Sequence, residues 1–418
     1  MAAPLSAAAL ASCAAARSGS GQAPSSFSLR QPPREFRAVW VASVDNIDWP
    51  SRPGLDPDAQ RAEATRILDL ARRLEINTVF LQVRPTADAL YPSVIEPWSA
   101  FLTGRQGEAP KPAYDPLAHW IDEAHARGID LHAWVNPFRA RHPKSIGPDA
   151  PGHVSRMFPK LVRNYNGHLW LDPGAVQARE IALRVIDDLL TRYELDGVHM
   201  DDYFYPYPKP GEPFPDQAIY TTYRRNGGTL EHDAWRRENI NRFVQGVNAL
   251  VHARRPGALF TVSPFGIWRP GNPAGVKGFD AYAGLHADSR RWLAEGWCDA
   301  LIPQLYWPVA SAGQPFQPLL DWWVEQRRLG RHLWPGLYLT RVRPAEEAES
   351  WEPGEILDQI RRTRETPGCT GFALFSAVGL VRNHRGVADL LASGPLSGPA
   401  LTPPSPWLAA PTPGEPAA

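Results

Sequence analysis

Two adjacent carboxylates give the sharpest chemical signal in this sequence of 418 residues. Asp201 and Asp202 end an apolar run that begins at Leu195, and Tyr203 follows them directly. A pair of carboxyl groups suits the cleavage of a glycosidic bond, in which one acid protonates the leaving oxygen and the other acts as nucleophile or activates water. Because neighbouring strand residues point to opposite sides, we place Asp201 at the centre of a site and Asp202 at its rim. We predict Asp201 as the principal catalytic carboxylate and Asp202 as its partner.

Other roles for the acids remain open at this level. Asp202 alternatively caps the loop that follows it by accepting hydrogen bonds from backbone N–H groups. Asp45 and Asp48 lie just beyond another apolar run and are further candidates for a second carboxylate, or for turn residues. We predict Asp45 as a substrate-binding residue.

A metal centre is the main chemical alternative. His199 and Asp201 are two residues apart, and with Asp202 and His132 they would form a mixed set of nitrogen and oxygen ligands. The sequence has no HExxH motif, however, and Arg84 would repel a divalent cation if it shared the site. The P-loop, GxGxxG and GxSxG patterns are also absent. We therefore predict no metal and no cofactor, and keep a metal-dependent carbohydrate hydrolase or deacetylase as an alternative.

The elements that must position these residues alternate regularly along the chain. Short β-branched or aromatic runs alternate with longer stretches of helical period, which is typical of βα units around a parallel sheet. A (β/α)8 barrel of the α/β class is the predicted fold, with an open doubly wound sheet as the alternative. The predicted strands number eight: 37–43, 76–84, 129–136, 195–202, 259–264, 300–306, 333–339 and 370–376.

Alternation along the strands predicts which side chains face the barrel axis. The polar positions near the carboxyl ends of the strands fall on the inner side, where barrel enzymes keep their active sites. For His132 and His199, which would lie deeper, a hydrogen-bonded core histidine is an equal alternative. Tyr203 and Trp307 are predicted to stack on sugar rings. The predicted substrate-binding set is Asp45, Arg84, His132, Asn136, His199, Tyr203, Gln304, Tyr306 and Trp307.

Three long connections follow these strands, over residues 85–115, 137–172 and 203–234. They carry aromatic residues, and long loops in a compact domain are usually binding loops or lids. We therefore expect a groove with aromatic walls for an extended polymer. The aromatic residues in question are Trp98, Trp170, Tyr203, Tyr205 and Tyr207.

Charge and composition exclude several classes of partner. The chain has 44 basic and 44 acidic residues, so a broad electrostatic surface for nucleic acid is not indicated. No apolar run approaches the roughly 18 to 20 residues that a spanning helix needs. The expected partner is a polysaccharide, with no nucleic acid, and with membrane contact only through an N-terminal lipid.

The two ends of the chain differ in composition from the middle. Residues 1–13 form an Ala-rich run ending in Leu10-Ala11-Ser12-Cys13, which resembles a bacterial lipobox with Cys13 as the lipidated residue, against a merely Ala-rich leader as the alternative. We divide the chain into this leader, a flexible tether over 14–33, the barrel over 34–393 and a Pro-rich disordered tail over 394–418. The expected location is the periplasm or cell envelope, as an exported lipoprotein.

Seven motifs lie in order along the chain: Arg37-Ala-Val-Trp-Val, Asn77-Thr-Val-Phe-Leu-Gln-Val-Arg-Pro, His132-Ala-Trp-Val-Asn-Pro-Phe-Arg, Asp196-Gly-Val-His-Met-Asp-Asp-Tyr-Phe-Tyr-Pro, Trp235-Arg-Arg-Glu-Asn-Ile-Asn, Ser263-Pro-Phe-Gly-Ile-Trp-Arg and Pro303-Gln-Leu-Tyr-Trp. Together, from about residue 34 to 391, they resemble the glycosyl-hydrolase-like family ten proteins, which include a divisome-localised glycosyl hydrolase of bacteria. The resemblance implies a (β/α)8 barrel, usually in an exported lipoprotein, that acts on peptidoglycan glycan strands, in one branch those stripped of stem peptides.

The chain departs from the larger set of family-ten glycosidases at its acids. Those enzymes use glutamates on the fourth and seventh strands, whereas here the fourth strand ends in Asp201 and Asp202 and the seventh in Tyr338-Leu-Thr340. The expected function is hydrolysis of a β-linked amino-sugar polymer, most readily peptidoglycan glycan, by carboxylate acid/base catalysis. A non-catalytic glycan-binding barrel is the competing class.

Overall fold

The computed structural model describes residues 31–408. The predicted leader over 1–13, including Cys13, and almost all of the predicted tether over 14–33 lie outside the described residues. The same holds for residues 409–418 of the predicted tail.

The described chain contains one large parallel sheet and one small antiparallel sheet. All eight predicted strands are present, with shorter bounds than predicted. The strands are β1 (Phe36–Val41), β2 (Thr78–Arg84), β3 (Asp130–Val135), β4 (Arg139–Arg141), β5 (Val162–Tyr165), β6 (His168–Leu171), β7 (Gly197–Met200), β8 (Leu259–Val262), β9 (Ala300–Leu301), β10 (His332–Leu333), β11 (Gly336–Leu337) and β12 (Gly371–Leu374).

The helices lie mostly between consecutive strands of the large sheet. They are α1 (Pro57–Arg73), α2 (Ala100–Thr103), α3 (Pro116–His125), α4 (Val154–Met157), α5 (Val176–Arg192), α6 (Gln217–Arg225), α7 (His232–Arg254), α8 (Ala281–Gly284), α9 (Ser289–Ala294), α10 (Phe316–Glu325), α11 (Pro353–Glu365), α12 (Ala377–Arg382) and α13 (Val387–Ser393), with 3-10 turns at Val44–Asn46, Pro159–Leu161, Leu339–Arg341 and His384–Gly386.

The large sheet closes into a barrel. Its order is β10-β9-β8-β7-β3-β2-β1-β12-β11, and all of its pairings are parallel. The two end strands, β10 and β11, are consecutive pieces of the predicted seventh strand, separated by Trp334 and Pro335. Because proline lacks a backbone N–H, it interrupts the hydrogen-bond ladder at this point. β10 pairs with β9 and β11 pairs with β12, so the ring of eight βα units is complete, as predicted.

Local sequence explains where several helices start. Asp56 precedes Pro57 at the start of α1, and its carboxylate accepts hydrogen bonds from two backbone N–H groups of the first turn. Asp115 and Pro116 repeat this arrangement in α3. An acidic cap satisfies backbone donors that have no partner within the helix, and proline is tolerated at the first helical position. These signals explain why α1 begins at Pro57 and α3 at Pro116.

Apolar residues form two separate layers. The larger core lies between sheet and helices and contains the outward strand residues, such as Val79, Leu81 and Val198. The smaller one fills the barrel axis with inward residues, among them Trp40, Phe80 and Trp134. The inner and outer faces therefore follow the alternation that was expected along the strands. Because aromatic rings fill the axis, the barrel is solid below its mouth.

The connection over 137–172 is not a plain loop. It folds into the small antiparallel sheet, in which β6 lies between β4 and β5. Two of the aromatic residues predicted to form the walls of a groove are buried in this part of the structure. Trp170 on β6 is only 1% exposed, and its Nε1 donates to the carbonyl of Phe204 at 2.9 Å. Tyr205 is also buried, so these two aromatics stabilise the loops and do not line a groove.

The prediction of a disordered tail is wrong for residues 394–408. Leu401 forms a parallel bridge with Arg34 just before β1, and its N–H and carbonyl bond to Pro33 and Glu35. Farther along, Nε1 of Trp407 donates to Asp299 at 2.7 Å, at the start of β9. The segment therefore covers the amino-terminal end of the barrel. The segment carries few charges, so little desolvation cost opposes its packing on the barrel. Its composition alone did not indicate these contacts.

We expect Trp407→Phe to lower the free energy of unfolding by about 1 kcal/mol and Trp407→Ala by about 2 kcal/mol. The phenylalanine loses the hydrogen bond to the buried Asp299 carboxylate but keeps a ring against His332, which the alanine also loses. Urea unfolding measures both values. Unchanged midpoints in the two variants would contradict a stabilising role for this segment.

Candidate active site

Asp201 lies at the mouth of the barrel, at the carboxyl end of β7, and is 5% exposed. Its Oδ2 accepts hydrogen bonds from Asn136 Nδ2 at 2.6 Å and from Trp134 Nε1 at 3.2 Å. Its Oδ1 accepts one from the backbone N–H of Tyr203 at 3.1 Å. Three N–H donors therefore surround this carboxylate, and they favour its ionised form.

Asp202 is buried too, with 2% exposure, and this corrects its predicted position at the rim. The strand ends at Met200, so the alternation rule no longer applies at the next two residues. Asp202 turns toward β8 and β9, where its Oδ1 accepts from Gln304 Nε2 at 3.2 Å and its Oδ2 accepts from the hydroxyl of Tyr207. Both acids thus reach the mouth from different sides.

Burial controls the electrostatics of the pair. It raises the pKa of Asp202 to about 7, with a further contribution from the negative charge of Asp201, while the hydrogen bonds from Tyr207 and Gln304 oppose the rise. Burial also raises the pKa of Asp201, opposed by the positive charge of Arg139 and by the N–H donors. Perturbed carboxylates in a cleft are a mark of functional sites.

Asn136 connects Asp201 to the neighbouring strands. Its Oδ1 accepts from Gln82 Nε2 at 2.6 Å and from Arg139 Nη2 at 2.9 Å. Oε1 of Gln82 in turn accepts hydrogen bonds from the backbone N–H groups of Ser43 and Val44, which follow β1. Asn136 is fully buried, so its observed contacts orient Asp201, and its predicted contact with a sugar is corrected accordingly.

Arg84 needs the same correction. Its side chain is fully buried and pairs with Glu96, with Nε and Nη2 donating to the two carboxylate oxygens at 2.8 and 2.5 Å. Its Nη1 donates to the carbonyl of Asn136. With these protein partners and no exposed surface, Arg84 holds the loop after β2 and the backbone of Asn136 in place and does not reach a substrate.

The two histidines are core residues, and His199 is hydrogen-bonded as its alternative interpretation anticipated, whereas the buried Nδ1 of His132 has no partner among the described residues. His199 Nε2 accepts from Trp40 Nε1 at 2.9 Å, its Nδ1 bonds to Thr261 at 2.8 Å, and its ring stacks on Phe80 at 4.1 Å. Burial lowers its pKa well below the ordinary histidine value and that of His132 to about 4. They lie beneath the mouth as neutral rings, so their predicted substrate contacts are corrected.

Aromatic side chains surround the acids on the loop side. Tyr203 is half-buried, and the guanidinium of Arg139 lies 5.2 Å from its ring centroid. Tyr306 stacks on Tyr338 with centroids 4.7 Å apart, and Trp307 is half-buried against Phe265. Tyr203, Tyr306 and Trp307 are thus at the mouth with part of each side chain open, and their predicted sugar contacts stay predictions.

The two aspartates after β1 have different surroundings. Asp45 is partly exposed and pairs with Lys144 Nζ at 2.5 Å, so it lies at the rim. Asp48 accepts hydrogen bonds from Ser376, Val378 and Ala42. It therefore ties the end of β1 to the end of β12, and burial raises its pKa to about 6.

Sequence reasoning missed the functional roles of Arg139, Tyr207 and Glu96. Arg139 is the last residue of the motif that begins at His132, and Tyr207 directly follows the motif that begins at Asp196. Their closeness in sequence to Asn136 and Asp202 was the available signal. Glu96 lies in the middle of a long loop, and nothing in its local sequence indicates a partner for Arg84.

Within residues 31–408, no group of three or more His, Cys, Asp or Glu side chains has a geometry that could hold a metal ion. Both ring nitrogens of His199 are occupied by protein partners, which separates it from the carboxylates as a ligand. No described helix is long and apolar enough to cross a membrane.

Two bacterial proteins are similar in sequence over most of the chain. It is 39% identical over 388 residues to the glycosyl hydrolase YngK of Bacillus subtilis, covering 90% of this chain and 75% of that protein. It is 34% identical over 373 residues to the glycosyl hydrolase DigH of Escherichia coli K12, covering 83% of this chain and 84% of that protein.

Solved structures support the fold. The glycoside hydrolase domain of PgaB from Bordetella bronchiseptica matches with a TM-score of 0.54 and 13% identity, over 86% of this chain and 98% of that one. The catalytic domain of a β-amylase from Paenibacillus polymyxa matches with a TM-score of 0.51 and 13% identity, over 85% and 95%. The sequence model of the family described as glycosyl hydrolase-like 10 matches residues 35–352. The chain therefore belongs to the glycosyl hydrolase-like 10 family, and its activity class is that of a glycoside hydrolase.

Proposed function

We propose that this protein hydrolyses a β-linked amino-sugar polymer, the glycan of peptidoglycan, with Asp201 and Asp202 as its catalytic carboxylates. The observation that carries the proposal is the presence of two buried acids at one barrel mouth with different hydrogen-bond partners. The choice of peptidoglycan rests on the family resemblance carried by the seven motifs.

The partners of the two acids assign their roles. Asp201 is surrounded by N–H donors and by the charge of Arg139, which favour its ionised form. Asp202 has a pKa of about 7, so a substantial fraction of it carries a proton in neutral solution when Asp201 is ionised. In our proposal Asp202 protonates the leaving glycosidic oxygen, while Asp201 stabilises or attacks the positively charged anomeric carbon, or activates water.

The open aromatic faces supply binding. Tyr203 lies on the loop after β7 and Trp307 on the loop after β9, and flat rings of this kind stack on the apolar faces of sugars. Tyr306 lies close enough to Asp202 for the charge of that acid to raise the pKa of the tyrosine further above its ordinary value. The Gln304 amide is held by Ser263 and Asp202 and keeps Asp202 in place.

We expect Asp202→Asn to lower kcat about 10²- to 10⁴-fold on glycan strands, because the leaving oxygen is no longer protonated. The loss should be much smaller on an aryl glycoside, whose leaving group needs no proton. Asp201→Asn should lose activity on both substrates. Mass spectrometry of reducing-end products and release of the aryl group measure the two rates.

Glu108→Gln is a control for this experiment. It neutralises an exposed carboxylate on the loop after β2, whose Oε1 lies 3.1 Å from Nη1 of Arg105. It should leave both rates unchanged. Equal losses for Asp202→Asn on the two substrates would contradict the general-acid role. Binding without cleavage by the wild-type protein would favour a glycan-binding barrel.

The pKa directions predict a bell-shaped dependence of kcat/KM on pH. Activity should rise as Asp201 ionises, above the ordinary aspartate pKa of 3.8, and fall as Asp202 loses its proton near pH 7. Tyr207→Phe removes a hydrogen bond that lowers the pKa of Asp202, so the alkaline limb should move to higher pH. An alkaline limb that stays in place or moves to lower pH would refute the assignment.

We also propose that the protein is exported and lipidated at Cys13. The lipobox-like Leu10-Ala11-Ser12-Cys13 supports this location, which suits an enzyme that acts on cell-wall glycan. Labelling of cells with a radioactive fatty acid should mark the wild-type protein and not Cys13→Ala. Cys298→Ala serves as a control, because it removes a buried cysteine and keeps Cys13, and it should be labelled like the wild type. Equal labelling of wild type and Cys13→Ala would overturn the proposal.

A further inference from the structure

The hydrogen bonds of Asp201 leave it poorly suited to attack carbon. Its Oδ2 accepts two of them, from Asn136 at 2.6 Å and from Trp134 at 3.2 Å, and its Oδ1 accepts one from the backbone N–H of Tyr203 at 3.1 Å. Hydrogen bonds to an ionised carboxylate stabilise its charge, and a stabilised anion is a weaker nucleophile than one with open oxygens. Among residues 31–408, Oδ1 has no second donor. One lone pair therefore remains on Oδ1 to accept an N–H group of the substrate.

Three other carboxylates near the carboxyl ends of the strands are already bound to protein groups. Asp48 accepts three hydrogen bonds that tie the end of β1 to the end of β12. Asp45 pairs with Lys144, and both oxygens of Glu96 pair with Arg84. None of these three acids is therefore placed to attack an anomeric carbon while the proposed general acid protonates the leaving group.

The hydroxyl of Tyr306 is an open donor beside the two catalytic acids. It makes no hydrogen bond to any group within residues 31–408, and its pKa is raised first by burial and then by charges that include those of Asp202 and Asp201. The ring is held by a stack on Tyr338, with centroids 4.7 Å apart, and by Phe375 at 5.8 Å. A ring fixed in this way presents its hydroxyl to a group that enters the mouth.

An acetamido group is complementary to these two neighbours. It carries one N–H donor and one carbonyl acceptor, and the mouth offers one acceptor, Oδ1 of Asp201, and one donor, the hydroxyl of Tyr306. An amino sugar of the proposed substrate carries this group on C2, next to the anomeric carbon C1. Its carbonyl oxygen is then an intramolecular nucleophile, and well-oriented groups of that kind reach effective concentrations of about 10⁵–10⁸ M.

We infer that the nucleophile is the acetamido oxygen of the substrate itself, and that Asp201 holds the acetamido N–H while Tyr306 contacts the carbonyl. Some glycosidases use such assistance by the substrate in place of a carboxylate nucleophile. The inference rests on the proposed function and deepens it, because it requires a 2-acetamido sugar on the non-reducing side of the cleaved bond. The role of Asp202 as general acid is unchanged.

Bonds and protons balance over two steps. In the first, a lone pair of the acetamido oxygen bonds to C1 as the bond from C1 to the glycosidic oxygen breaks. The leaving oxygen takes the proton of Asp202, and the N–H proton passes to Asp201, which gives a cyclic oxazoline. In the second step water attacks C1 and gives a proton to Asp202, the ring bond to C1 breaks, and Asp201 returns its proton to nitrogen. Two inversions at C1 retain the configuration of the substrate.

The first test changes the acetamido group alone. The substrates are aryl β-glycosides of the two peptide-free disaccharides of the strand, with N-acetylglucosamine or N-acetylmuramic acid next to the aryl group. The acetyl methyl of that sugar carries zero to three fluorine atoms, which withdraw electrons from the carbonyl oxygen. Wild-type kcat should fall at each fluorine, by about 10²-fold or more in total, because the intramolecular nucleophile is weakened. A total change below about threefold would overturn the inference, since a carboxylate or water nucleophile does not use that oxygen.

A second test asks whether Asp201 itself attacks C1. Asp201→Ala in the presence of azide should yield no α-glycosyl azide, because removal of a residue that holds the acetamido group opens no position for an external nucleophile on that face. Formation of the α-glycosyl azide would identify Asp201 as the nucleophile and overturn the inference.

Tyr306→Phe tests the contact with the carbonyl. Loss of the hydroxyl should lower kcat about 10- to 100-fold on the N-acetyl substrates. Tyr220→Phe is the matched control, because the hydroxyl of Tyr220 on α6 bonds to the carbonyl of Leu230, and its loss should leave kcat unchanged. Equal rates for the two variants would overturn the role given to Tyr306.

The outcomes separate this inference from the proposed function. If the wild type cleaves neither the strands nor the aryl disaccharides, the proposed function fails and the inference fails with it. If it cleaves them with inversion at C1, read by NMR of the first product, the function stands and the inference is overturned. If it cleaves only the strands, a thiazoline made from the same disaccharides decides. As a stable analogue of the oxazoline it should inhibit competitively, and no inhibition overturns the inference. These wild-type measurements decide the matter even if Asp201→Ala does not fold.

Discussion

The architecture of the mouth depends on the need to satisfy polar groups that the barrel buries at the ends of its strands. Hydrogen bonds connect the backbone after β1 to Gln82, then to Asn136 and Asp201, and on the other side Asp202 to Gln304 and Ser263. Each link joins neighbouring strands, except that from Asp202 after β7 to Gln304 after β9, which spans β8. Since an unpaired buried polar group costs about 1–3 kcal/mol, the network holds only if all of these strands are in register.

The same requirement separates the two acids chemically. They are adjacent in sequence and equally buried, yet Asp201 faces N–H donors from β3 and Asp202 faces a tyrosine hydroxyl and an amide from the opposite side. One environment favours a charge and the other retains a proton. In the proposed mechanism, two identical side chains thus take the different protonation states that acid/base catalysis requires.

The insertion after β3 determines which side chains line one side of the barrel mouth. Its small sheet places Arg139, His142 and His168 beside the mouth, and Trp170 anchors that sheet to the loop after β7. Because rigid strands hold these groups, the rim has a defined charge pattern even though the whole chain is neutral. A charged site can exist in a chain with zero net charge, because the net charge is a sum over all residues and says nothing about where they lie.

Much of this was determined by the sequence alone: eight strands, their inner and outer faces, and the acids at the end of the fourth. These features are local, because alternation and capping depend on residues close along the chain. Tertiary structure decided the rest. Whether an inward polar residue is open to substrate or is bonded to another side chain depends on residues far away in the sequence. Glu96 pairs with Arg84 in this way, and Thr261 bonds to His199. The ordered segment after residue 394 and the direction of Asp202 were decided in the same way, because packing partners distant in sequence leave no local pattern.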